Sequence, residues 1–286
     1  MLSGADRYTA RATRSSRTSF YYSFLLLPRE ERRAIYAIYA FCRAADDVAD
    51  GPGDPAEKAR GLLEWREELS RCYAGEPRHP VTEALLSAVR RYSLPREHFE
   101  GILDGMSSDL TRLRYESFAE LQGYCHQVAS LVGLLCVEVF GYRDPGSRDY
   151  ARELGLAFQL TNILRDLGRD AGEGRIYLPR EDLLRFSVPE EDLLAGRVTP
   201  AFREMMTFQV ARTRDRYARA DALLPEQDRR ALFAARIMAR IYQGVLTEIE
   251  RMGYDVFRRH AGIGTARKIR IALGTYLTER AFPAFR

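Results

Sequence analysis

The stretch ERRAIYAIYAFCRAADDVAD, residues 31 to 50, reads as a helix whose character changes along one face. At 100° per residue, Ile35 shares a stripe with Tyr39, Arg43, Asp46 and Asp50; the last four fall within about 60° of one another, and Asp47 turns roughly 80 to 100° away. A face that starts apolar and ends in two carboxylates suits neither a core nor a solvated surface, but it suits a cavity wall. Pro28 fits the entry to this helix and Gly51-Pro52-Gly53 stops it.

A second stretch, NILRDLGRD at 162 to 170, repeats the pattern about 120 residues on. Gln159, Asn162, Asp166 and Asp170 span an arc of about 80°, Gly155 lies on the same face, and Arg165 and Arg169 flank it. Taken singly, each acidic face reads as solvated surface or as half of an i±4 pairing with arginine. Stacked like charges repel, however, and two such faces with further polar groups on the same arc point to a cation. Mg²⁺ takes carboxylate, amide and water oxygens and completes its shell with substrate phosphates. Two opposed faces could therefore hold a diphosphate through Mg²⁺, with Arg43, Arg165 and Arg175 adding charge-assisted contacts. Ionising an allylic diphosphate needs a pocket that excludes water, for which Phe20, Tyr22, Phe24, Tyr39 and Tyr124 are candidate walls.

The rest of the chain reads as helix. Further segments are expected near 55–74, 80–92, 95–106, 117–140, 147–170, 200–223, 227–252 and 262–280, each bounded by Gly, Pro or a polar turn, and no stretch alternates with period two. The class is all-α, in one domain from 19 to 286, with the polar residues 1–18 expected to be a loosely held, flexible segment. Residues 117–140 carry a small-residue stripe, Cys125, Ala129, Val132 or Gly133, and Cys136, which suits close helix packing or a widened tunnel. The loop AGEGRIYLP, 171 to 179, follows directly on Asp170 and reads as a lid or a surface turn.

With 46% hydrophobic residues in 286, a substantial core is available. The charge of +4 is spread along the chain, so nucleic acid is not expected as a partner. Cys42, Cys72, Cys125 and Cys136 lack metal or redox spacing and read as reduced thiols of a cytoplasmic protein. The longest apolar run, Leu131 to Phe140, is well short of the roughly 18 residues of a membrane span. Gly262-Ile263-Gly264 and Gly172-Glu173-Gly174 follow no strand and lack a third glycine, so they are turns rather than a dinucleotide fingerprint.

Three stretches, 20–50, YCHQVASLVG at 124–133 and FQLTNILRDLGRDAGEGRIYLP at 158–179, resemble the squalene and phytoene synthase family of head-to-head prenyl synthases. The likeness runs over nearly the full length. SFYYSFLLLP, EVFGYRDP at 138–145 and GRIYLPREDL at 174–183 look most like the bacterial presqualene diphosphate synthases of hopanoid biosynthesis. The resemblance implies an isoprenoid synthase fold around a central cavity, three Mg²⁺ ions and two farnesyl diphosphates joined to presqualene diphosphate, with no NADPH. Phytoene, dehydrosqualene or full squalene synthesis is the alternative within the family, and a non-catalytic assembly factor the alternative outside enzymes. It further implies metal ligation by Asp46, Asp50, Asn162, Asp166 and Asp170, and diphosphate contacts from Arg43, Arg165, Arg175 and Tyr177. Tyr39, Tyr124, Gln159 and Tyr242 would line the reaction centre, with the catalytic load on Tyr39, Tyr124 and the four aspartates; Ser19, Phe20 and Phe24 would touch substrate. The stretch Ser16-Arg17-Thr18-Ser19-Phe20 departs from the family's Ser-Lys-Ser/Thr-Phe. Peripheral contact with the inner face of the membrane and hand-over to downstream isoprenoid enzymes complete the expectation.

Overall fold

The computed structural model describes residues 3–15 and 21–281. Among them every regular element is helical. In chain order these are α1 (Gly4–Ser15), α2 (Tyr21–Phe24), α3 (Arg29–Asp50), α4 (Pro55–Ala74), α5 (Pro80–Tyr92), α6 (Arg96–Asp109), α7 (Phe118–Cys125), α8 (Leu131–Phe140), α9 (Gly146–Gly172), α10 (Arg180–Arg185), α11 (Glu190–Leu194), α12 (Pro200–Leu223), α13 (Phe233–Arg251) and α14 (Thr265–Ala281). A π-turn, His126–Ser130, joins α7 to α8.

Local chemistry sets the boundaries. Asp54 accepts from the Ala56 and Glu57 amides while the Glu57 carboxylate accepts from the Asp54 amide, a reciprocal cap that starts α4 on Pro55. Gly75, at φ 89°, ends the same helix in the left-handed conformation. Ser117 and Thr199 cap α7 and α12. The helix expected from 227 begins only at Phe233, because Glu226–Asp228 form a 3₁₀ turn and the buried Asp228 carboxylate accepts from the Arg143 and Asp144 amides and the Ser147 hydroxyl.

Two long helices carry the architecture. The buried face of α3 packs against α1, α4, α5, α6 and α8, and α9 packs against α8, the π-turn, α12 and α13. Phe41 of α3 is fully buried between the edges of Trp65 and Phe99, with ring centroids 5.7 and 5.2 Å away. The small-residue stripe does what close packing requires: a Cβ on Gly133 would lie 2.7 Å from the Ala151 carbonyl, and one on Gly155 would lie 2.6 Å from the Ser130 Cα. Phe118–Phe140 is long and apolar enough to cross a membrane, contrary to the sequence expectation, yet half of its most apolar window is buried inside the fold, where a core helix belongs.

The N-terminal expectation is corrected over residues 3–15. These form α1, capped reciprocally by Ser3 and Asp6 and seated on α3 and α5. Its inner face is Ala5, Thr9 and Thr13, all buried, with each Thr hydroxyl donating back to the carbonyl four residues earlier. Small residues at i, i+4, i+8 make a packing face that a polar composition conceals. Residues 16–20, including Ser19 and Phe20, lie outside the described residues.

Candidate active site

A cavity of about 610 Å³ opens between α3, the π-turn and α8, α9 and α13. Its inner end is apolar, walled by Met106, Val132, Cys136, Phe140, Leu154 and Met238, with the stripe residues Ala129 and Gly133 also facing it. The stripe therefore both packs α8 on α9 and makes room. The outer end is polar and carries Arg43, Asp46, Asn162, Arg165, Asp166 and Arg169, joined by His260 and Lys268 from the C-terminal limb. Between the two ends stand Tyr39, Phe158, Gln159 and Tyr242, the last two rings packed 4.8 Å apart as Phe158 against Tyr242.

Residues of both acidic faces line the outer end. From α3, Asp46 enters the cavity wall while Asp47 is turned to solvent and pairs with Arg43 at 2.5 Å. Burial, the neighbouring Asp50 charge and, to a lesser degree, Asp47 push the Asp46 carboxyl up to about 6 against the pull of Arg43, 3.0 Å away. From α9, Asp166 accepts two bonds from Arg165, at 2.8 and 2.5 Å, and Asp170 accepts two from Arg169, at 3.3 and 3.1 Å. Burial, with Asp166 adding to it, lifts the Asp170 carboxyl to about 6 despite Arg169. The Asp50 charge reaches Arg169 and Arg175, so the helices address the same gap.

Among the described residues no three carboxylate, imidazole or thiol groups stand close enough to hold a metal unaided. Arginines intervene between them, and in this respect the five expected ligands are not one preformed cluster. The donor set nevertheless fits a hard cation. Asn162 donates from Nδ2 to Gln159 Oε1 at 3.2 Å, and its Oδ1 is buried with no hydrogen-bond partner. An orphaned buried amide oxygen on the same cavity wall as Asp46 and Asp166 is a site that a divalent cation would stabilise.

Tyr124, Arg175 and Tyr177 belong to a neighbouring cluster rather than to the cavity wall. Its centre is Asp109, at the end of α6, which accepts from Tyr124 Oη at 2.7 Å and Tyr177 Oη at 3.0 Å. Arg175 donates to Tyr177 Oη at 3.1 Å and to the Asp109 carbonyl at 3.4 Å. Tyr115, Tyr124 and Tyr177 pack ring to ring, and burial pushes the Asp109 carboxyl up to about 6 while the two phenols pull it back. Asp104, earlier on α6, pairs instead with Arg66 at 2.5 Å. The second half of the 171–179 segment is fastened to the chain before α7. Ile176, Tyr177 and Leu178 are buried, the Ile176 amide donates to the Leu113 carbonyl at 3.1 Å, and the Arg180 amide donates to the Tyr115 carbonyl at 2.9 Å.

Of the expected residues, Phe24, Tyr39, Arg43, Asp46, Gln159, Asn162, Arg165, Asp166 and Tyr242 line the cavity. Asp50 and Asp170, four residues further along the same two helices, are not among its lining residues. Arg169 was read only as flanking the second acidic face, and His260 and Lys268 were not singled out by the sequence. His260 Nδ1 lies 4.0 Å from Asp166 because Gly168 lets the chain at 256–257 pass against α9.

An all-helical shell around a cavity that is acidic and arginine-rich at one end and apolar at the other defines an isoprenoid synthase. The chain belongs to the squalene/phytoene synthase family, whose sequence profile matches residues 13–267. It is 40% identical over 267 residues to a phytoene synthase of Arthrospira platensis, covering 88% of this chain and 85% of that protein. Among solved structures it is similar to squalene synthase HpnC from Alicyclobacillus acidocaldarius, at 32% identity and a TM-score of 0.77 over 88% of this chain and 95% of that one. A ligand-bound dehydrosqualene synthase superposes with a TM-score of 0.86 at 29% identity, over 97% of both chains.

Proposed function

We propose that the protein condenses two identical allylic prenyl diphosphates head to head. The observation that carries this is the polarity of one cavity, lined by Asp46 and Asp166 from two different helices together with several arginines, and otherwise by apolar side chains. Arg43, Arg165 and Arg169 bind diphosphate oxygens at that end. Asp46, Asp50, Asn162, Asp166 and Asp170 are the groups that would hold Mg²⁺, three ions in the family pattern. When bound, Mg²⁺ supplies Lewis-acid stabilisation of the departing diphosphate.

Tyr39, Phe158 and Tyr242 sit where charged and apolar ends meet and exclude water from the allylic cation formed there. The C2–C3 double bond of the second substrate attacks that cation, and loss of a proton closes a cyclopropane. Asp109, Tyr124 and Tyr177 hold a hydrogen-bonded proton chain beside the rim and keep Arg175 oriented toward it.

The substrate reading that similarity favours is the C20 diphosphate with phytoene as product, because the 40% and 37% identities to phytoene synthases extend over most of both chains. The 32% likeness to HpnC favours a second reading, two farnesyl diphosphates giving presqualene diphosphate. Incubation of the purified protein with Mg²⁺ and either C15 or C20 diphosphate, with and without NADPH, distinguishes them by product mass. A C40 hydrocarbon from the C20 substrate supports the first; a C30 product retaining diphosphate whether or not NADPH is present supports the second. Asp50→Ala and Asp166→Ala should each abolish turnover with helical content intact, and activity in either refutes the ligand assignment.

A further inference from the structure

Helix α14 is apolar on two sides. Ala272 and Thr275 are buried as the helix packs on α13 and α2, yet Ile269, Leu273 and Leu277 are 42%, 50% and 63% exposed. At i, i+4 and i+8 they form one continuous outer stripe. Leu25, just beyond the turn of α2 that α14 touches, is 43% exposed as well. The remaining exposed large apolar side chains, such as Leu63, Leu184 and Leu223, are scattered one to an element, which is ordinary for a surface.

The charge around the stripe is predominantly positive. From Phe257 to Ala281 the sequence holds Arg258, Arg259, Arg267, Lys268, Arg270 and Arg280 against a single carboxylate, Glu279. Arg258, Arg259, Arg267 and Arg270 are exposed. The nearest carboxylates outside the stretch are Asp255, 3.8 Å from Arg258, and Glu248, whose closest partner is Arg251 at 2.6 Å and whose charge also feels Arg259 and Arg267. Excess positive charge therefore stays with the helix. The stripe also begins at the cavity: Lys268 lines the outer end and Ile269 is the next residue.

We propose that α14 is the docking face for an anionic phospholipid bilayer, laying Ile269, Leu273 and Leu277 into the headgroup–acyl boundary with Arg267 and Arg270 at the lipid phosphates. Apolar side chains edged by arginine are what such an interface recognises. A parallel two-fold contact through the stripe would stack Arg267 and Arg270 on their own symmetry mates, which disfavours a second copy of this chain in that orientation. The placement turns the charged end of the cavity toward the layer from which a prenyl diphosphate would be drawn. That purpose rests on the proposed function, whereas the docking itself does not.

Co-sedimentation with phosphatidylcholine vesicles, with and without phosphatidylglycerol, reads binding without turnover, so it fails or succeeds separately from the synthase reading. Wild type should sediment with the phosphatidylglycerol vesicles, less so at high salt. The double variant Leu273→Glu, Leu277→Glu should lose at least about tenfold in partition coefficient. Its circular dichroism and thermal midpoint should match wild type. Arg267→Glu with Arg270→Glu should abolish the preference for phosphatidylglycerol. Wild type that stays in the supernatant, variants that bind as wild type does, or a wild-type dimer that the Leu→Glu changes convert to monomer would each overturn the proposal.

Discussion

Gly168 stands between Asp166 and Asp170, and replacing it with alanine tests how tightly the site is assembled. A Cβ there would lie 2.5 Å from the Val256 carbonyl oxygen and 2.8 Å from the Phe257 Cα. Contacts of roughly 3.5 Å are needed, so the 256–257 backbone must retreat by about 1 Å. Main chain cannot rotate aside as a side chain does, which places the overpacking cost near the top of the usual range, about 3 kcal/mol. Alanine returns about 1 kcal/mol through helix propensity, leaving a net loss of about 2 kcal/mol. Urea denaturation should show a lower midpoint with an unchanged slope. Gly123→Ala is the control: that glycine is helical, exposed and has nothing within 4 Å of its Cβ position, so alanine should add about 0.5–1 kcal/mol. Turnover in Gly168→Ala should fall further than stability explains, because the displaced limb carries His260 and leads to Lys268. If Gly168→Ala were as stable as wild type while Gly123→Ala gained, the close approach would be refuted.

Glu68, buried and accepting from the Arg78 and His79 amides, Thr82 Oγ1 and Arg71 Nε, has its carboxyl lowered to about 2 because these bonds outweigh burial. Its stabilisation is complete above the ordinary carboxyl range and is lost as pH falls from about 4.5 to 2; Glu68→Gln should cost about 3 kcal/mol at pH 7 by urea midpoint and flatten that acid limb. Asp109 has the opposite sign, since a carboxyl raised to about 6 takes up a proton in the folded state that the unfolded chain releases near 4. Its contribution to stability therefore falls as pH rises through that window. Asp109→Asn should remove the dependence, and Tyr177→Phe, by taking away one donor, should move its midpoint upward in a carboxyl-resolved NMR titration.

Much of the fold could be read locally. The Asp54-Pro55-Glu57 start and the Gly75 stop carry their own caps, and the expected ends of α4, α5 and α12 coincide with those observed. The acidic faces were legible for the same reason, because an i, i+4 spacing fixes direction on a helix before any partner is known. What was hidden depends on distance in the chain. Asp109 meets Tyr124 and Tyr177 across loops whose paths the sequence does not state, and 174–181 is fastened by backbone bonds to 113–116, which carry no side-chain signature. Tyr124 was drawn to the reaction centre as an aromatic on a promising helix, and its bond to Asp109 places it beside the cavity instead. Helix α1 was missed because alanine and threonine, rather than large apolar groups, make its inner face.

Both acidic faces end their helices: Asp46 and Asp50 occupy the last turns of α3, and Asp166 and Asp170 the last turns of α9. Peptide dipoles already direct partial negative charge to those ends, where cationic residues are the stabilising choice. α3 has no basic residue in its final turn. The fold thus concentrates unfavourable potential at the gap it uses, and gives up local stability there in exchange for affinity. On the proposed function linkage would run the other way: a divalent cation bound with diphosphate would tighten the C-terminal turns of α3 and α9 together, coupling two helices that are far apart in the chain through one electrostatic joint.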